Sequence, residues 1–467
     1  MKKSKASNLD DGFDFISNMP DPILQLILQG LPTTEEVVRT SILSTRWRYL
    51  WTSLPHFPSL NIDSERVLNH YIMFSKKKFK DFVSWCLADK TRDLDSFRLC
   101  CATYYKVSTV EAWIKAAIMR KVKSLDLTYC PKSENEDITL PHYVISCDSL
   151  EVLRLCLCRR AFHFPADYES LWFRALRVLK LESVYCYDKD LVKPFTRFCP
   201  LLEELTLIDC FVKVVDTIIV ESPKIKILVI RNCKDMYSVY NDLWSNVDVS
   251  CPELVNFEFV GRRGEIVIDR AASLKKAVIL PEVISERNLS PNLGKIFCEL
   301  LAGISHVASL SINFYFIQCI NIARDREKCF PASFPDLKTL EVTTSIDAFT
   351  MDVLLRFLKC SPNLESLNLI IQKEHLGTEY WALDKPRTRL IITRHLKRVK
   401  FIGFSGEKQK LDIARCLLKH ETALEEMCFS WCSEVKYHEK SVKMVNILSK
   451  FCKASSTVKL ISFLEDQ

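Results

Sequence analysis

Between residues 122 and 429 one short pattern, L-x-x-L-x-L with Val, Ile, Met, Phe or a single Ala tolerated, occurs twelve times. It opens with Val122-x-x-Leu125-x-Leu127, Leu150-x-x-Leu153-x-Leu155 and Leu176-x-x-Leu179-x-Leu181, and closes with Leu396-x-x-Val399-x-Phe401 and Leu424-x-x-Met427-x-Phe429. Successive central residues lie 28, 26, 26, 23, 29, 20, 33, 30, 27, 32 and 28 positions apart. The last three residues of each pattern alternate apolar and outward, the two-residue period of a strand. A unit of this length cannot bury its apolar face alone, so copies must stack and bury it on one another. That excludes most compact folds and requires a solenoid with one short parallel strand per unit.

A second mark accompanies the period. Three residues beyond the last apolar position stand Cys130, Cys158, Cys210, Cys233 and Cys432, where the leucine-rich-repeat pattern calls for Asn or Cys. The chain therefore resembles leucine-rich-repeat proteins. The resemblance implies an α/β horseshoe whose parallel strands line the concave face, with helices or turns between them. Cys199-Pro200, Cys251-Pro252 and Ser361-Pro362 mark joints ahead of several repeats. Twelve strands at about 4.8 Å make a wall on the order of 55 Å long.

The residue between the last two apolar positions points outward in each repeat. In order these are Asp126, Arg154, Lys180, Thr206, Val229, Glu258, Val278, Ser311, Glu341, Asn368, Lys400 and Cys428. Neighbouring outward rows add Val152, Val178, Ile208, Ile227, Val260, Leu280 and Ile402. Apolar outward positions gather from the second repeat to the seventh, with polar residues at either end. An apolar centre with a polar rim is the make-up of a protein-docking surface, with Val152, Arg154, Val178, Lys180, Ile208, Val229 and Glu258 as the candidate target contacts. The competing explanation is that β-branched residues are simply good strand formers.

The N-terminal residues 14–63 have a different grammar. Met19-Pro20 and Leu31-Pro32 each open a short helical pattern, and a third runs from Val37 to Trp51. Ile23, Leu24, Ile27 and Leu28 are expected on one helical face, with Pro22 at the helix start. Thr33 or Thr34 can cap the second helix. Fifty residues in three short helices cannot bury all their apolar surface internally, and the surplus calls for a partner. In sequence the segment resembles the F-box of plant leucine-rich-repeat proteins. The resemblance implies binding to a small Skp-type adaptor and, through it, a cullin–RING ligase. Carried over by position, the adaptor-binding set is Met19, Pro20, Ile23, Leu24, Ile27, Leu31, Pro32, Ser44, Trp47, Leu50 and Trp51.

The C-terminal stretch, with His395 to Phe404, an amphipathic Lys408–Lys419 and Leu424 to Phe429, resembles the FBD region that follows the repeats in many plant F-box proteins. It reads as strand, helix, strand, helix, with Leu411, Ala414, Leu417 and Leu418 on one face, and is expected to close the open edge of the sheet. The expected organisation is an F-box at 10–60, a helical joint and N-terminal cap at 61–120, including a helix over Lys77–Leu87, repeats at 121–393 and the FBD-like region at 394–455.

Composition limits the alternatives. A net charge of +7, from 65 basic and 58 acidic residues, is small for this length and implies neither nucleic-acid nor membrane binding. Residues 1–12 lack the apolar core of a secretory signal, and no apolar run is long enough to span a bilayer. An intracellular protein of cytoplasm, nucleus or both is expected, its twenty cysteines free thiols rather than a disulfide frame. Cys156-x-Cys158 with His163 is the nearest approach to a metal set, and no cofactor is expected. Nine glycines include no G-x-G-x-x-G or P-loop, and H-E-x-x-H and G-x-S-x-G are missing. The expectation is thus a non-catalytic substrate-recognition subunit of a Skp–cullin–F-box ubiquitin ligase, with an unidentified protein target. The alternative is a repeat-based protein-binding scaffold outside any ligase.

Overall fold

The computed structural model describes residues 16, 19–31, 34–40, 43–50, 59–64, 76–88, 93–101, 105–130, 137–164, 173–186, 191–212, 217–235, 246–262, 265–282, 291–323, 330–344, 348–371, 395–404, 406, 408–431 and 438–464. The chain forms two compact units, 1–160 and 161–467.

The first unit begins with helices α1 (Asp21–Gln29), α2 (Thr34–Arg39) and α3 (Thr45–Leu50). Pro22 sits in the first turn of α1, where its missing N–H costs nothing, and Asp21 complements the helix dipole there. Four parallel strands follow, Ser59–Asp63, Ser96–Cys101, Ser124–Tyr129 and the start of Val152–His163, paired in chain order. Their register aligns Leu60, Phe97, Leu125 and Leu153 in one buried column. Helices Lys76–Cys86 and Val107–Met119 lie among them. Between these helices Phe79, Tyr105 and Trp113 cluster with ring centroids 5.5–6.4 Å apart, and the Trp113 indole N–H donates to Ser84 Oγ at 3.1 Å.

The 61–120 segment is thus not a purely helical joint. It carries two strands of the ladder ahead of the first repeat read from the sequence. Both fit the relaxed pattern, as Phe57-x-x-Leu60-x-Ile62 and Leu94-x-x-Phe97-x-Leu99. The wider spacing between them hides the period: their central residues, Leu60 and Phe97, lie 37 positions apart with the helix Lys76–Cys86 between them.

The second unit is a longer ladder of the same kind. Strands Val178–Cys186, Glu204–Ile208, Ile227–Arg231, Asn256–Arg262, Lys276–Glu282, Ser309–Asn313, Thr339–Thr344, Ser366–Ile371, Arg398–Phe404, Glu426–Trp431 and Lys459–Leu464 pair in parallel and in chain order. The central residues of the sequence pattern fall in one register, Leu179, Leu205, Leu228, Phe257, Ala277, Leu310, Leu340, Leu367, Val399 and Met427, all buried. A single mis-register would turn this whole column outward. The chain is therefore a leucine-rich-repeat solenoid preceded by a three-helix cluster, an α/β protein.

Behind this ladder most connections are helical, as expected, but three consecutive ones are not. Thr217–Glu221, Asn246–Ser250 and Ile266–Asp269 form a second, three-stranded parallel sheet. Their β-branched content (Thr217, Ile218, Ile219, Val220; Ile266, Val267, Ile268) suits a pleated half-buried layer better than a helix.

The C-terminal region continues the ladder. Strand Arg398–Phe404, helix Lys408–His420, strand Glu426–Trp431 and helix His438–Ser449 appear in the expected order, and Ala414, Leu417 and Leu418 are buried with Leu411 half-buried. A further strand, Lys459–Leu464, lies beyond the expected limit of 455. The region advances the sheet edge to this strand rather than closing it: among the described residues nothing pairs with its far side. Gly403, at φ +72°, permits the register shift between Phe401 and Phe404, since a Cβ there would lie 2.7 Å from the Ile371 carbonyl oxygen.

Two cysteines of the row, Cys210 and Cys233, serve the turn after the strand. Cys210 Sγ donates to the carbonyls of Leu181 and Ile208, and Cys233 Sγ to those of Leu207 and Arg231, at 3.4–3.7 Å. Each thiol thereby satisfies a carbonyl of the preceding repeat and one of its own. The residue just before, Asp209 or Asn232, takes a left-handed conformation that swings the cysteine inward. Hydrogen bonding with Cys233, followed by burial, holds the Cys210 thiol well above its ordinary pKa, so it stays a donor. Cys432 lies outside the described residues. One cysteine corrects the expectation of free thiols: Cys298 is disulfide-bonded.

Candidate interaction surfaces

The N-terminal helices have a minimal core of Leu24, Leu28, Val37, Trp47 and Leu50, with Met19 and Leu31 packed against it and partly buried. Two polar contacts set the helix arrangement. Arg46, in the first turn of α3, pairs with Asp21 at the start of α1 through Nε at 2.8 Å and donates through Nη2 to the Met19 carbonyl at 2.6 Å. Ser44 Oγ accepts from the Trp47 N–H at 3.3 Å, capping α3. Thr34, expected as a cap, is buried and accepts instead from the Asn61 N–H at 2.9 Å, tying α2 to the first strand.

This geometry divides the adaptor-binding set read from the sequence. Pro20, Ile23 and Ile27 are exposed, the two isoleucines by 46% and 43%. Leu24, Trp47 and Leu50 are interior, and Ser44 is engaged as a cap. Pro32 and Trp51 lie outside the described residues. The four aliphatics expected on one face of α1 therefore occupy two adjacent stripes: Leu24 and Leu28 face inward, while Ile23 and Ile27 face solvent. At 100° per residue the outer stripe is completed by Leu26, 67% exposed. The sequence reading passed over Leu26, although its position, three after Ile23 and one before Ile27, marks it. A helix this short with apolar residues on both faces is the signature of a partly assembled core.

The outward rows of the repeats are half-buried where the sequence places them, except Ser311, which is buried. In the first unit Asn61, Arg98, Asp126 and Arg154 stand in register, linked by Arg98 Nη1 to Asn61 Oδ1 at 3.0 Å and Arg98 Nε to Asp126 Oδ2 at 3.7 Å. Val152 precedes Arg154 on the same side of the same strand. In the second unit Lys180 pairs with Glu182 at 2.7 Å beside Val178. Farther along, Ile208, Ile227, Val229, Val260, Val278 and Leu280 form a half-buried apolar patch. At its middle Arg231 Nε meets Glu258 Oε1 at 2.5 Å. Glu258 is flanked in register by Val229 and Val278, Arg231 by Ile208 and Val260. Arg231 stands in the same outward row as Ile208, Val260 and Leu280, one past the repeat's last apolar residue, and was passed over because only the apolar members of that row were read.

Comparison with known proteins agrees with this architecture. The model of the At1g61320/AtMIF1 LRR domain family matches residues 87–463, and the F-box domain model matches residues 16–58. The FBD-associated F-box protein At5g22730 of Arabidopsis thaliana is 26% identical, over 98% of this chain and 96% of its own. The F-box/FBD/LRR-repeat proteins At3g52680 and At5g22660 of the same plant are 26% and 27% identical, each over 96% of this chain and over 93% and 96% of their own lengths. A leucine-rich-repeat ladder that follows an F-box along the chain defines a class of substrate adaptors. The chain belongs to the At1g61320/AtMIF1-type leucine-rich-repeat family and is an F-box protein. No helix among the described residues is long and apolar enough to cross a membrane.

Proposed function

We propose that this chain is the substrate-recognition subunit of a Skp–cullin–F-box ubiquitin ligase, acting inside the cell in cytoplasm, nucleus or both. The observation that carries the proposal is the solvent-facing stripe Ile23, Leu26 and Ile27 on a helix whose opposite face already builds the core. Covering it with an adaptor's apolar surface is worth up to about 1.5–3 kcal/mol for each fully buried aliphatic. Met19, Leu31, Leu24, Trp47 and Leu50 support that stripe from beneath, and Ser44 and Arg46 hold the helix that carries Trp47.

The repeats supply the second half of the function. The outward patch around Arg231–Glu258 is the target-docking surface of the second unit, with Val178, Lys180, Ile208, Val229 and Glu258 as contacts; Val152 and Arg154 play that part on the first unit. Because the Arg231–Glu258 pair neutralises itself, the patch suits an apolar, nearly uncharged segment of the target. The mechanism is proximity: a target held on the repeats is presented to a ubiquitin-charged enzyme at high effective concentration. This subunit contributes no reacting group.

The test is binding of the full chain to a Skp-type adaptor. The double variant Ile23→Glu/Ile27→Glu should abolish binding while leaving thermal unfolding unchanged. Equal binding by wild type and variant refutes the assignment of the stripe. No binding by either, in a folded chain, favours the scaffold outside a ligase.

A further inference from the structure

The residue just ahead of each strand forms a continuous row along one rim of the second unit's sheet. Arg177, Glu203, Lys226, Val255, Lys275, Ala308, Lys338, Glu365, Lys397 and Glu425 are linked there, each backbone N–H donating to the carbonyl of the one before at 2.8–2.9 Å. Toward both ends, charges of this row pair along it. Glu203 sits between Arg177 at 2.6 Å and Lys226 at 3.2 Å, and Lys397 meets Glu365 at 3.8 Å. In the middle the alternation fails: Lys275 and Lys338 are exposed and neither forms an ion pair among the described residues. The small Ala308 separates them.

A cleft of about 800 Å³ opens at that place. Its floor is built of small groups, Ala271, Gly303 and Ala308 among them, and His306 closes one side by donating from Nε2 to the Ala271 carbonyl at 3.1 Å. Of the other charged groups lining it, Arg270 pairs with Asp269 at 3.4 Å, which leaves Asp336 as the single carboxylate opposing the two lysines. The backbones of Lys275 and Lys338 are two strand spacings apart, about 10 Å. Two extended lysines can close that span onto one anion lying over Ala308.

We propose that this rim cleft binds a dianionic phosphate group, held by Lys275 and Lys338 over Ala308. A carboxylate offers one charge and two acceptors; a phosphate carries nearly two charges and three acceptor oxygens, enough to engage both ammonium groups. The group can belong to a phosphorylated side chain or to a free phosphate. The site lies in the second unit and does not depend on adaptor binding.

The experiment uses the full chain at fixed ionic strength, with inorganic phosphate and an Ala-phosphoserine-Ala peptide as probes and ³¹P line broadening as readout. Lys275→Ala/Lys338→Ala should weaken both probes at least tenfold, and Ala308→Gln, which fills the cleft and leaves every charge in place, should do the same. Asp336→Asn should tighten binding about threefold. Lys226→Ala, a paired lysine of the same row, should change nothing. Tighter binding of the peptide than of inorganic phosphate assigns the source to a phosphorylated chain, and equal binding assigns it to free phosphate. Absence of broadening, or broadening that survives both the double lysine variant and Ala308→Gln, overturns the proposal. All five positions are exposed or at the rim, so an unchanged unfolding temperature confirms that each variant is folded.

Discussion

The F-box helices and the repeat ladder spend their apolar residues in opposite ways. In the ladder each Leu, Ile or Phe of the pattern is buried against the equivalent residue of the next repeat, and the side chains left outside are a mixture of polar and β-branched groups. In α1 two aliphatics point into the core while Ile23, Leu26 and Ile27 point away from it. A ladder supplies its own partner with every added repeat, whereas a three-helix cluster of this size has none to spare. The contrast teaches that surplus apolar surface is informative where the local architecture has no way to cover it, and uninformative where strand preference explains it.

The largest effect expected from this contrast is on binding. Ile23→Glu/Ile27→Glu should lower adaptor affinity by at least a hundredfold with stability unchanged. Trp47→Ala, three residues into α3 and 4% exposed, should lose binding indirectly, by removing about 3–5 kcal/mol of core packing. Circular dichroism and denaturant titration separate the two causes; equal loss of stability in both variants would erase the distinction between the stripes.

Next in size is a substitution inside the ladder. Leu310→Ala, fully buried in the central column, should cost about 3 kcal/mol in urea unfolding and leave adaptor binding intact, because its neighbours lie in the second unit. Cys210→Ala removes the thiol that serves two carbonyls, and should cost about 1–2 kcal/mol; a Cys233→Ala change on top of it should be less than additive, since the two thiols are hydrogen-bonded to each other.

The smallest expected effect is a pH dependence. Lys226, first through its hydrogen bond and then through its charge, and Arg177 lower the Glu203 carboxyl below its usual range. Its folded-state pKa being depressed, the stability it contributes is present above the ordinary carboxylate pKa and is lost as pH falls through the lowered value. Glu203→Gln should therefore flatten part of the acid limb of a stability profile and leave neutral pH almost unaffected. The group is half-buried at the surface, and moderate salt should shrink the difference further.

How much of this was legible beforehand differs by region. The ladder was readable because register and burial follow from a two-residue period: each central residue from Leu125 to Met427 falls in the buried column of its own unit. Cys210 and Cys233 were readable because the turn after the strand demands an inward polar group at a fixed offset. The strands at Leu60 and Phe97 fit the same pattern but were masked by the long insertion between them. The three-stranded back sheet was passed over because connections between repeats were expected to be helices or turns. On α1 the heptad-like spacing could not separate Ile23 from Leu24, which are neighbours in sequence and differ by only 100° around the axis.

The sequence alone therefore determined the class of fold, the register of the ladder and the presence of an F-box, since these rest on local periodicity repeated many times. The tertiary structure decided which apolar residues of α1 remain available to a partner, that Thr34 ties a helix to a strand and that Arg231 neutralises Glu258. It also decided that Lys275 and Lys338 flank an open cleft while Arg177, Glu203, Lys226, Glu365 and Lys397 of their row are paired. Each of these depends on which residues meet across a turn or between neighbouring repeats, and distances of that kind are created only when the chain is packed.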